Sequence, residues 1–325
     1  MATHNSQSFD VTDLVEQYRG KKLEELYQEN YQIIKNNMGD FMELIWKEDN
    51  FPCNLKLHLT RKKLLYNLKT VHYIGEFIEN RLKGRGIKTL KDLRFLNLKY
   101  GKSANYILNL IEQKDFNNLK KNKYIDDLDV SFCFSIGDLL FLDIETLGLY
   151  DNAIIIVGIG FFKNRRYEIH SFFARSLEEE IAICEHLRTE ILPKFKCFVS
   201  YNGKRFDIPY IANRFLYFFD ENPMISEQDT PYEVNNTKFH HIDLYYICRK
   251  RLKGMFERHT LTYVEEKLLE MQRENELPSN MVPVCYKKYQ TNPNRYIGLI
   301  KECIEHNYYD VYSMPLILHK LLELH

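Results

Sequence analysis

The sequence predicts an α/β protein, with a mixed sheet flanked by helices and a smaller all-helical region before it. Between residues 139 and 200, four short apolar runs rich in β-branched and aromatic residues indicate strands, and helical patterns lie on both sides of the fourth. Before residue 126, apolar residues recur at helical spacing. The 325 residues are 45% hydrophobic and 14% aromatic, which is enough for a large core.

Composition and periodicity divide the chain into three expected regions. Residues 1–53 are predicted to be N-terminal acidic helices, residues 54–125 a basic helical domain, and residues 126–325 the α/β domain. In the first region, apolar residues at helical spacing from 11 to about 46 predict two helices.

The elements of the α/β domain follow from its local patterns. Strands are predicted at 139–146, 153–162, 167–174 and 196–200. Helices are predicted from 176 to about 192, from 208 to 219, and from about 294 to 322, with Pro315 expected to kink or split the last one.

Charge is distributed unevenly along the chain. There are 45 Lys and Arg against 45 Asp and Glu, yet residues 54–125 hold 17 basic and 5 acidic side chains, a local net charge of +12. A basic block of this extent favours a polyanionic partner over a small metabolite.

The cysteines and the N-terminus bear on the cellular compartment. Seven cysteines without CxxC spacing argue against a disulfide framework or a zinc site and favour a reducing compartment. No signal-peptide core and no run of about 18 apolar residues occurs. We therefore expect a cytoplasmic protein with no membrane segment.

Asp143 and Glu145 stand two residues apart at the end of the first predicted strand. Side chains alternate along a strand, so both carboxylates project from one face. Two acids on a buried strand are costly to desolvate unless a cation offsets them, and hard divalent ions prefer oxygen ligands. Taken alone, the pair also fits an edge strand with two solvated acids.

Two further acids occur in contexts that suit the same site. Asp207 follows Asn202 in a predicted strand-to-helix turn, although an acid there is also a common helix N-cap. Asp310 lies four residues after His306 in the last predicted helix, so the two side chains share one helical face. A solvent-facing pair is the alternative for these two.

Together, these patterns resemble the three exonuclease motifs of the DnaQ-like, DEDD-type 3′–5′ exonuclease superfamily, which has an RNase H-like fold. The motifs in this sequence are Asp143-x-Glu145, Asn202-x-x-x-Phe206-Asp207 and the late helical Asp310. Further matches look like the YprB-like predicted exonuclease family, and the resemblance covers about residues 70–322. These further matches are His241-Ile242-Asp243-Leu244, Arg249, Leu261, Glu265, Leu268, Arg273, Pro283, Tyr286 and His306-Asn307.

The resemblance implies a site that holds two Mg²⁺ or Mn²⁺ ions. Its ligands would be the carboxylates of Asp143, Glu145, Asp207 and Asp310, which repel one another unless cations are bound. One ion would activate a water and the other would stabilise the leaving 3′ oxygen.

The general base is less clearly specified by the motifs. One superfamily subgroup has a Tyr four residues before the last acid, and the other has a His five residues before it. His306 stands at the tyrosine spacing, so the sequence mixes the two patterns. We expect His306 to be the general base or to orient the water, with Tyr308 or Tyr309 as the alternative.

The resemblance also implies residues that contact the substrate. Thr146 and Leu147 follow the first two acids, where the superfamily contacts the terminal nucleotide, and Asn202 and Phe206 hold a comparable position in the second motif. Phe206 would stack on a base or anchor the turn as a buried aromatic. Asp243 is either a fifth acid near the site or a helix cap, and we favour the cap.

Within the basic region, Tyr73-Ile74-Gly75, a short helix and the run from Gly86 to Leu93 resemble a helix-hairpin-helix element. In that family the hairpin offers backbone N–H groups to a phosphate. Tyr73 replaces the usual first glycine, and its side chain keeps the backbone further from a phosphate. Both a phosphate-contacting hairpin and a structural turn are compatible with these residues.

The expected function is therefore a hydrolase, a metal-dependent 3′–5′ exonuclease acting on single-stranded DNA or RNA. One alternative is a non-catalytic nucleic-acid-binding module on the same fold. Another is a phosphodiesterase of very short oligonucleotides, which the basic block disfavours because a dinucleotide needs no such surface.

Overall fold

The computed structural model describes residues 11–96, 98–149, 151–224, 239–273 and 277–324, and it confirms a mixed α/β fold. Seven strands within these ranges form one sheet: Tyr31–Asn36 (β1), Gly39–Glu48 (β2), Leu139–Thr146 (β3), Ile154–Lys163 (β4), Arg166–Phe173 (β5), Cys197–Ser200 (β6) and His240–Asp243 (β7). The α-helices in the same ranges are Val11–Tyr18 (α1), Leu23–Tyr27 (α2), Leu59–Tyr66 (α3), Glu76–Gly84 (α4), Leu90–Leu93 (α5), Leu98–Gln113 (α6), Phe116–Lys120 (α7), Glu180–His186 (α8), Asp207–Phe219 (α9), Leu244–Arg251 (α10), Leu261–Val264 (α11), Val282–Thr291 (α12) and Pro293–Glu323 (α13).

The strand order across the sheet is β1-β2-β5-β4-β3-β6-β7. β3 pairs antiparallel with β4 and parallel with β6, and β6 pairs parallel with β7. All eight residues of β3 except Asp143 are buried. β3 is therefore an interior strand, and its acids are not those of an exposed edge.

The helical prediction for residues 11–46 is wrong from Tyr31 onwards. α1 and α2 form, but β1 and β2 make a hairpin that adds to the sheet through β2 and β5, with Met42 opposite Phe173. Four consecutive residues of β2, from Phe41 to Leu44, are buried. Such a run fits either a helix or a strand by spacing alone, and pairing with β5 decides for the strand.

Two glycines in β4 allow α13 to lie close against the sheet. A Cβ at Gly158 would stand 2.2 Å from Asn307 Oδ1 and 2.8 Å from Val311 Cγ2, both on α13. A Cβ at Gly160 would meet the hydroxyl of Tyr167 and a Val311 methyl group. Because Gly158 pairs with Asp143, the close approach brings α13 over the acidic part of β3.

The predicted kink or split at Pro315 does not occur. α13 runs without interruption through this residue, and its one non-helical residue is Tyr296. A proline lacks the N–H that would bond the carbonyl four residues earlier, which here belongs to Val311. The hydroxyl of Tyr167 donates to that carbonyl at 2.8 Å, so the freed acceptor is satisfied and the helix continues.

The helices between 59 and 120 pack around a hydrophobic cluster that includes Leu68, Leu90 and Ile111. They contact the α/β part through ion pairs such as Lys63 with Asp129 at 3.2 Å. The division into three domains is not tested by this packing and stays a prediction. No helix among the described residues is long and apolar enough to cross a membrane.

Candidate metal centre

Three elements bring the four predicted acids to one place. Asp143 and Glu145 come from β3, Asp207 from the first residue of α9, and Asp310 from the middle of α13. A register shift between Glu145 and Thr146 interrupts the pairing of β3 with β4. Irregularities of this kind re-aim side chains and are frequent beside active sites.

A residue of α13 holds the carboxylate of Asp143 in place. The side-chain amide of Asn307 donates to Asp143 Oδ2 at 2.8 Å, and Ser171 Oγ donates to the amide oxygen of Asn307 at 3.3 Å. Burial raises the pKa of Asp143 well above its usual range, and the negative charges of Asp310 and Asp207 raise it further, whereas the bond from Asn307 acts in the opposite direction.

Asp207 does not cap its helix. α9 begins at Asp207 itself with Phe206 at the N-cap position, and Asp207 Oδ1 accepts the backbone N–H of Ile144 at 3.1 Å. Its carboxylate thus faces β3 between the two acids of that strand. Burial raises the pKa of Asp207 to about 7, although backbone hydrogen bonds favour the charged form.

The turn before Asp207 depends on Asp243. Its carboxylate accepts the backbone N–H groups of Asn202 at 2.8 Å and Lys204 at 3.0 Å, as well as that of Tyr245 at the start of α10. Asp243 therefore caps α10, as expected, and also holds the loop that delivers Asp207. Gly203 stands where a Cβ would lie 2.3 Å from Ser200 Oγ, so this turn requires a glycine.

Glu145, His306 and Asp310 form the tightest part of the cluster. One potential ligand atom from each lies within 4.8 Å of the other two. His306 Nε2 is 3.7 Å from Glu145 Oε1 and 3.6 Å from Asp310 Oδ2. Burial raises the pKa of Glu145 well above its usual range, and Asp310 and Asp207 add to this. The charged form of Glu145 is therefore disfavoured here unless cations are present.

His306 is buried, so the solvent-facing alternative for it is wrong. Its side chain is 6% exposed, and Ser279 Oγ lies 3.2 Å from Nε2. Its Nδ1 has no hydrogen-bond partner among the described residues. An imidazole placed between two carboxylates is well suited to accept a proton or to ligate a metal ion.

The two neighbouring tyrosines differ in position. Tyr308 donates its hydroxyl to Glu48 Oε1 at 2.9 Å, on β2. Tyr309 is 40% exposed, and its ring centroid is 5.8 Å from the guanidinium carbon of Arg273. Of the two, Tyr309 is the one that lies against Arg273, the partner of Asp310.

Arg273 contributes a positive charge that sequence reasoning did not assign to the site. Its Nη2 lies 2.6 Å from Asp310 Oδ1 and 2.5 Å from Glu265 Oε1, and Nε donates to Glu265 Oε2 at 2.8 Å. Glu265 begins a π-helical turn, Glu265–Leu269, after which the chain reverses at Glu270 in a left-handed conformation. Arg273 therefore reaches Asp310 from a loop, and a loop has no periodic pattern of residues from which this contact could be predicted.

The predicted substrate residues differ in burial and in backbone conformation. Thr146 is buried, and its hydroxyl donates to the Gly148 carbonyl at 2.7 Å. Leu147 is half-buried against the cluster around α12 and α13. Asn202 takes a left-handed backbone conformation with φ +67°. Phe206 is half-buried, with its ring centroid 5.3 Å from that of Tyr210.

Fold and site together define an α/β protein with a buried carboxylate and histidine cluster of the kind that holds divalent metal ions. The chain belongs to the RNase_H superfamily, whose family model RNase_H_2 matches residues 140–322. Members of this superfamily generally hydrolyse phosphodiester bonds and typically use divalent metals, so a nucleic-acid-related function follows.

One bacterial relative shares part of this sequence. The chain is 26% identical over 186 residues to the "Uncharacterized protein YprB" of Bacillus subtilis (strain 168). The match covers 56% of this chain and 41% of the relative, so the chain spans less than half of that protein's length.

Proposed function

We propose that this protein is a DEDD-type, metal-dependent 3′–5′ exonuclease that hydrolyses phosphodiester bonds of single-stranded nucleic acid. The observation that carries the proposal is the convergence of Glu145, His306 and Asp310 within 4.8 Å, beside two further acids whose charged forms burial disfavours. A site built this way is stable with all its acids ionised only when cations are bound.

The donor set fits two Mg²⁺ or Mn²⁺ ions held by Asp143, Glu145, Asp207 and Asp310. Oxygen ligands suit these hard ions, and each of the three aspartates has one oxygen held by a protein donor: Asn307, the Ile144 N–H or Arg273. The second oxygen of Asp310, Oδ2, lies 3.6 Å from His306 Nε2. When bound, such ions supply Lewis acidity for an attacking water and for the leaving 3′ oxygen.

In this proposal His306 receives the proton of the attacking water at Nε2. The carboxylates of Glu145 and Asp310, at 3.7 and 3.6 Å from that atom, would stabilise the imidazolium that forms. The hydroxyl of Ser279, 3.2 Å away, would help to orient the ring. Tyr309 is the alternative base, since Tyr308 is engaged by Glu48.

Thr146, Leu147, Asn202 and Phe206 are proposed to contact the terminal nucleotide. Thr146 and Leu147 continue β3 directly beyond Glu145, and Phe206 precedes Asp207. The turn after Thr146 is held by Tyr210, whose hydroxyl oxygen lies 3.1 Å from the carbonyl oxygen of Gly148 and 2.9 Å from that of Asn152 and donates its one proton to either. A fixed turn beside the acids is suited to position a strand end.

The decisive experiment is digestion of matched 5′-labelled DNA and RNA single strands with Mg²⁺ or Mn²⁺. We expect mononucleotides to be released stepwise from the 3′ end, with EDTA, Asp143→Ala and Asp310→Asn each abolishing the reaction. Asp220→Asn is the matched control, because Asp220 ends α9 in a left-handed conformation that Asn tolerates. The DNA and RNA arms identify the preferred sugar.

The remaining outcomes separate the alternatives. Strand binding without hydrolysis in either metal would refute the exonuclease and fit a nucleic-acid-binding module. Hydrolysis confined to dinucleotides would fit the short-oligonucleotide phosphodiesterase. A thermal shift on adding Mn²⁺, absent in Asp310→Asn, tests metal binding independently of turnover.

A further inference from the structure

The most exposed apolar side chains of the described residues cluster in one helical region. Leu98 is 83% exposed, Phe95 82% and Phe77 78%, and Tyr73, at 62%, lies close by in the chain. Isolated exposed apolar residues are common on protein surfaces, whereas several large ones together mark an interaction site. We call these four residues the aromatic surface.

Two contacts connect the turn that carries Tyr73 to α6, the helix that begins at Leu98. The backbone N–H of His72 donates to Ser103 Oγ at 3.4 Å, which ties the hairpin turn to α6. Lys99, the second residue of α6, places its ammonium 3.7 Å from the centroid of the Tyr73 ring. Leu98 begins α6 next to Lys99, Phe95 lies in the connection from α5 to α6, and Phe77 is the second residue of α4, the helix after the turn.

The turn holds an exposed aromatic residue in a strained backbone conformation. Tyr73 adopts φ +68°, a left-handed conformation that costs free energy for any residue with a Cβ. Ile74, next to it, is only 2% exposed and anchors the turn in the core below. A glycine at position 73 would relieve this strain, yet the chain has an exposed tyrosine there. Backbone strain of this kind is typical of functional positions.

The net charge of this region favours a polyanionic partner. Residues 54–125 carry a net charge of +12, and the Arg94 guanidinium lies 5.5 Å from the Phe95 ring centroid. An apolar protein partner would have to desolvate these cations, whereas a polyanion gains from them. Flat aromatic faces interleaved with Lys and Arg are the combination that binds single-stranded nucleic acid, with bases on the rings and phosphates on the cations.

We propose that the aromatic surface binds single-stranded nucleic acid by stacking bases on Phe77, Phe95 and Tyr73. This inference rests on the proposed function, because it makes the helical region the place where the strand is held away from its reacting end. The proposal also gives the hairpin a different role from phosphate binding through its backbone N–H groups, because Tyr73 would contact a base.

The test compares base-bearing and abasic strands, which carry the same phosphates. Binding of a fluorescein-labelled 20-nucleotide strand to the full chain is measured by anisotropy in EDTA, where hydrolysis is blocked. We expect the wild type to bind the base-bearing strand more tightly, and Phe77→Ala with Phe95→Ala to weaken it about fivefold to hundredfold per base lost from a ring. Affinity for the abasic strand should hardly change.

Two controls isolate stacking from other effects. Tyr217→Ala removes a 71% exposed aromatic of α9 and should leave both affinities unchanged. Lys102→Gln removes an exposed charge of α6 and should weaken both strands equally, with a shallower salt dependence. Both aromatic positions are exposed, and a circular dichroism melt of the double variant checks its folding.

Equal wild-type affinity for the two strands, or an unchanged preference in the double variant, would overturn the proposal. It would also be overturned if the double variant only converted a dimer to a monomer in sedimentation, since the surface would then bind a second copy. Mononucleotide release from a trinucleotide with Mn²⁺ tests the catalytic proposal separately, because so short a substrate does not require the aromatic surface.

Discussion

Replacing Arg273 by Met should destabilise the fold strongly, because it removes a cation that lies against two largely buried acids, Glu265 and Asp310. The side chains of Arg273, Glu265 and Asp310 are 4%, 1% and 13% exposed. Methionine fills a similar volume, so the loss of packing is small. The effect would come almost entirely from leaving two buried carboxylates without their partner.

The magnitude follows from the contacts. Arg273 holds Glu265 at 2.5 and 2.8 Å and Asp310 at 2.6 Å. Removing one partner of a buried ion pair typically costs about 3–5 kcal/mol, which lowers the folding equilibrium constant by more than a hundredfold. Burial already raises the pKa of Glu265 despite Arg273, so in the variant that pKa rises further and the deficit grows with increasing pH.

Guanidinium denaturation in EDTA at pH 7.5 and pH 5.5 measures both effects. The free energy of unfolding of Arg273→Met should fall by about 3–5 kcal/mol at the higher pH, and by less at the lower pH. Arg19→Met is the matched control, since Arg19 and its partner Glu16 are 60% and 59% exposed and 3.5 Å apart. Such an exposed pair contributes at most about 1 kcal/mol.

The reasoning would be refuted if Arg273→Met unfolded within about 1 kcal/mol of the wild type at pH 7.5, the range of an exposed pair. A deficit independent of pH would refute the electrostatic part alone, because a loss of packing does not depend on protonation.

Three further changes have defined outcomes. In EDTA, thermal stability should fall as pH rises from about 4 to 7. The folded protein raises the pKa of Asp207 to about 7, so this group stabilises the fold below its unfolded pKa and loses that contribution as it ionises in the folded state. Melting scans with and without Mg²⁺ measure this. Gly158→Ala should lose most hydrolytic activity and about 1–3 kcal/mol of stability by overpacking, because its Cβ would stand 2.2 Å from Asn307 Oδ1. Tyr167→Phe should cost about 1–3 kcal/mol in guanidinium denaturation, because the Val311 carbonyl loses its donor.

Each of these has an outcome that would contradict it. Stability that rises with pH in EDTA would mean that the acids are not held as a repelling cluster. Full activity of Gly158→Ala would show that α13 can move without displacing the site. A Tyr167→Phe variant as stable as the wild type would mean that the helix needs no replacement donor; Tyr217→Phe, at an exposed site, is the control.

The sequence by itself determined the central strands, the helices that follow them and the positions of the four acids. β3 was predicted at Leu139–Thr146 and is found there, and α9 and α13 begin within one residue of prediction. These features depend on local patterns of apolar and polar residues, which remain readable without knowing what lies opposite. The mixed α/β fold followed from their order.

Only the tertiary structure decided the features that depend on distant partners. β2 became a strand because Met42 pairs with Phe173, and α13 passed through Pro315 because Tyr167 bonds the Val311 carbonyl. Tertiary packing also brought the Arg273 guanidinium to within 2.6 Å of Asp310. Local spacing cannot reveal contacts between residues far apart in the chain, because the free energy that selects them arises only when the elements pack together.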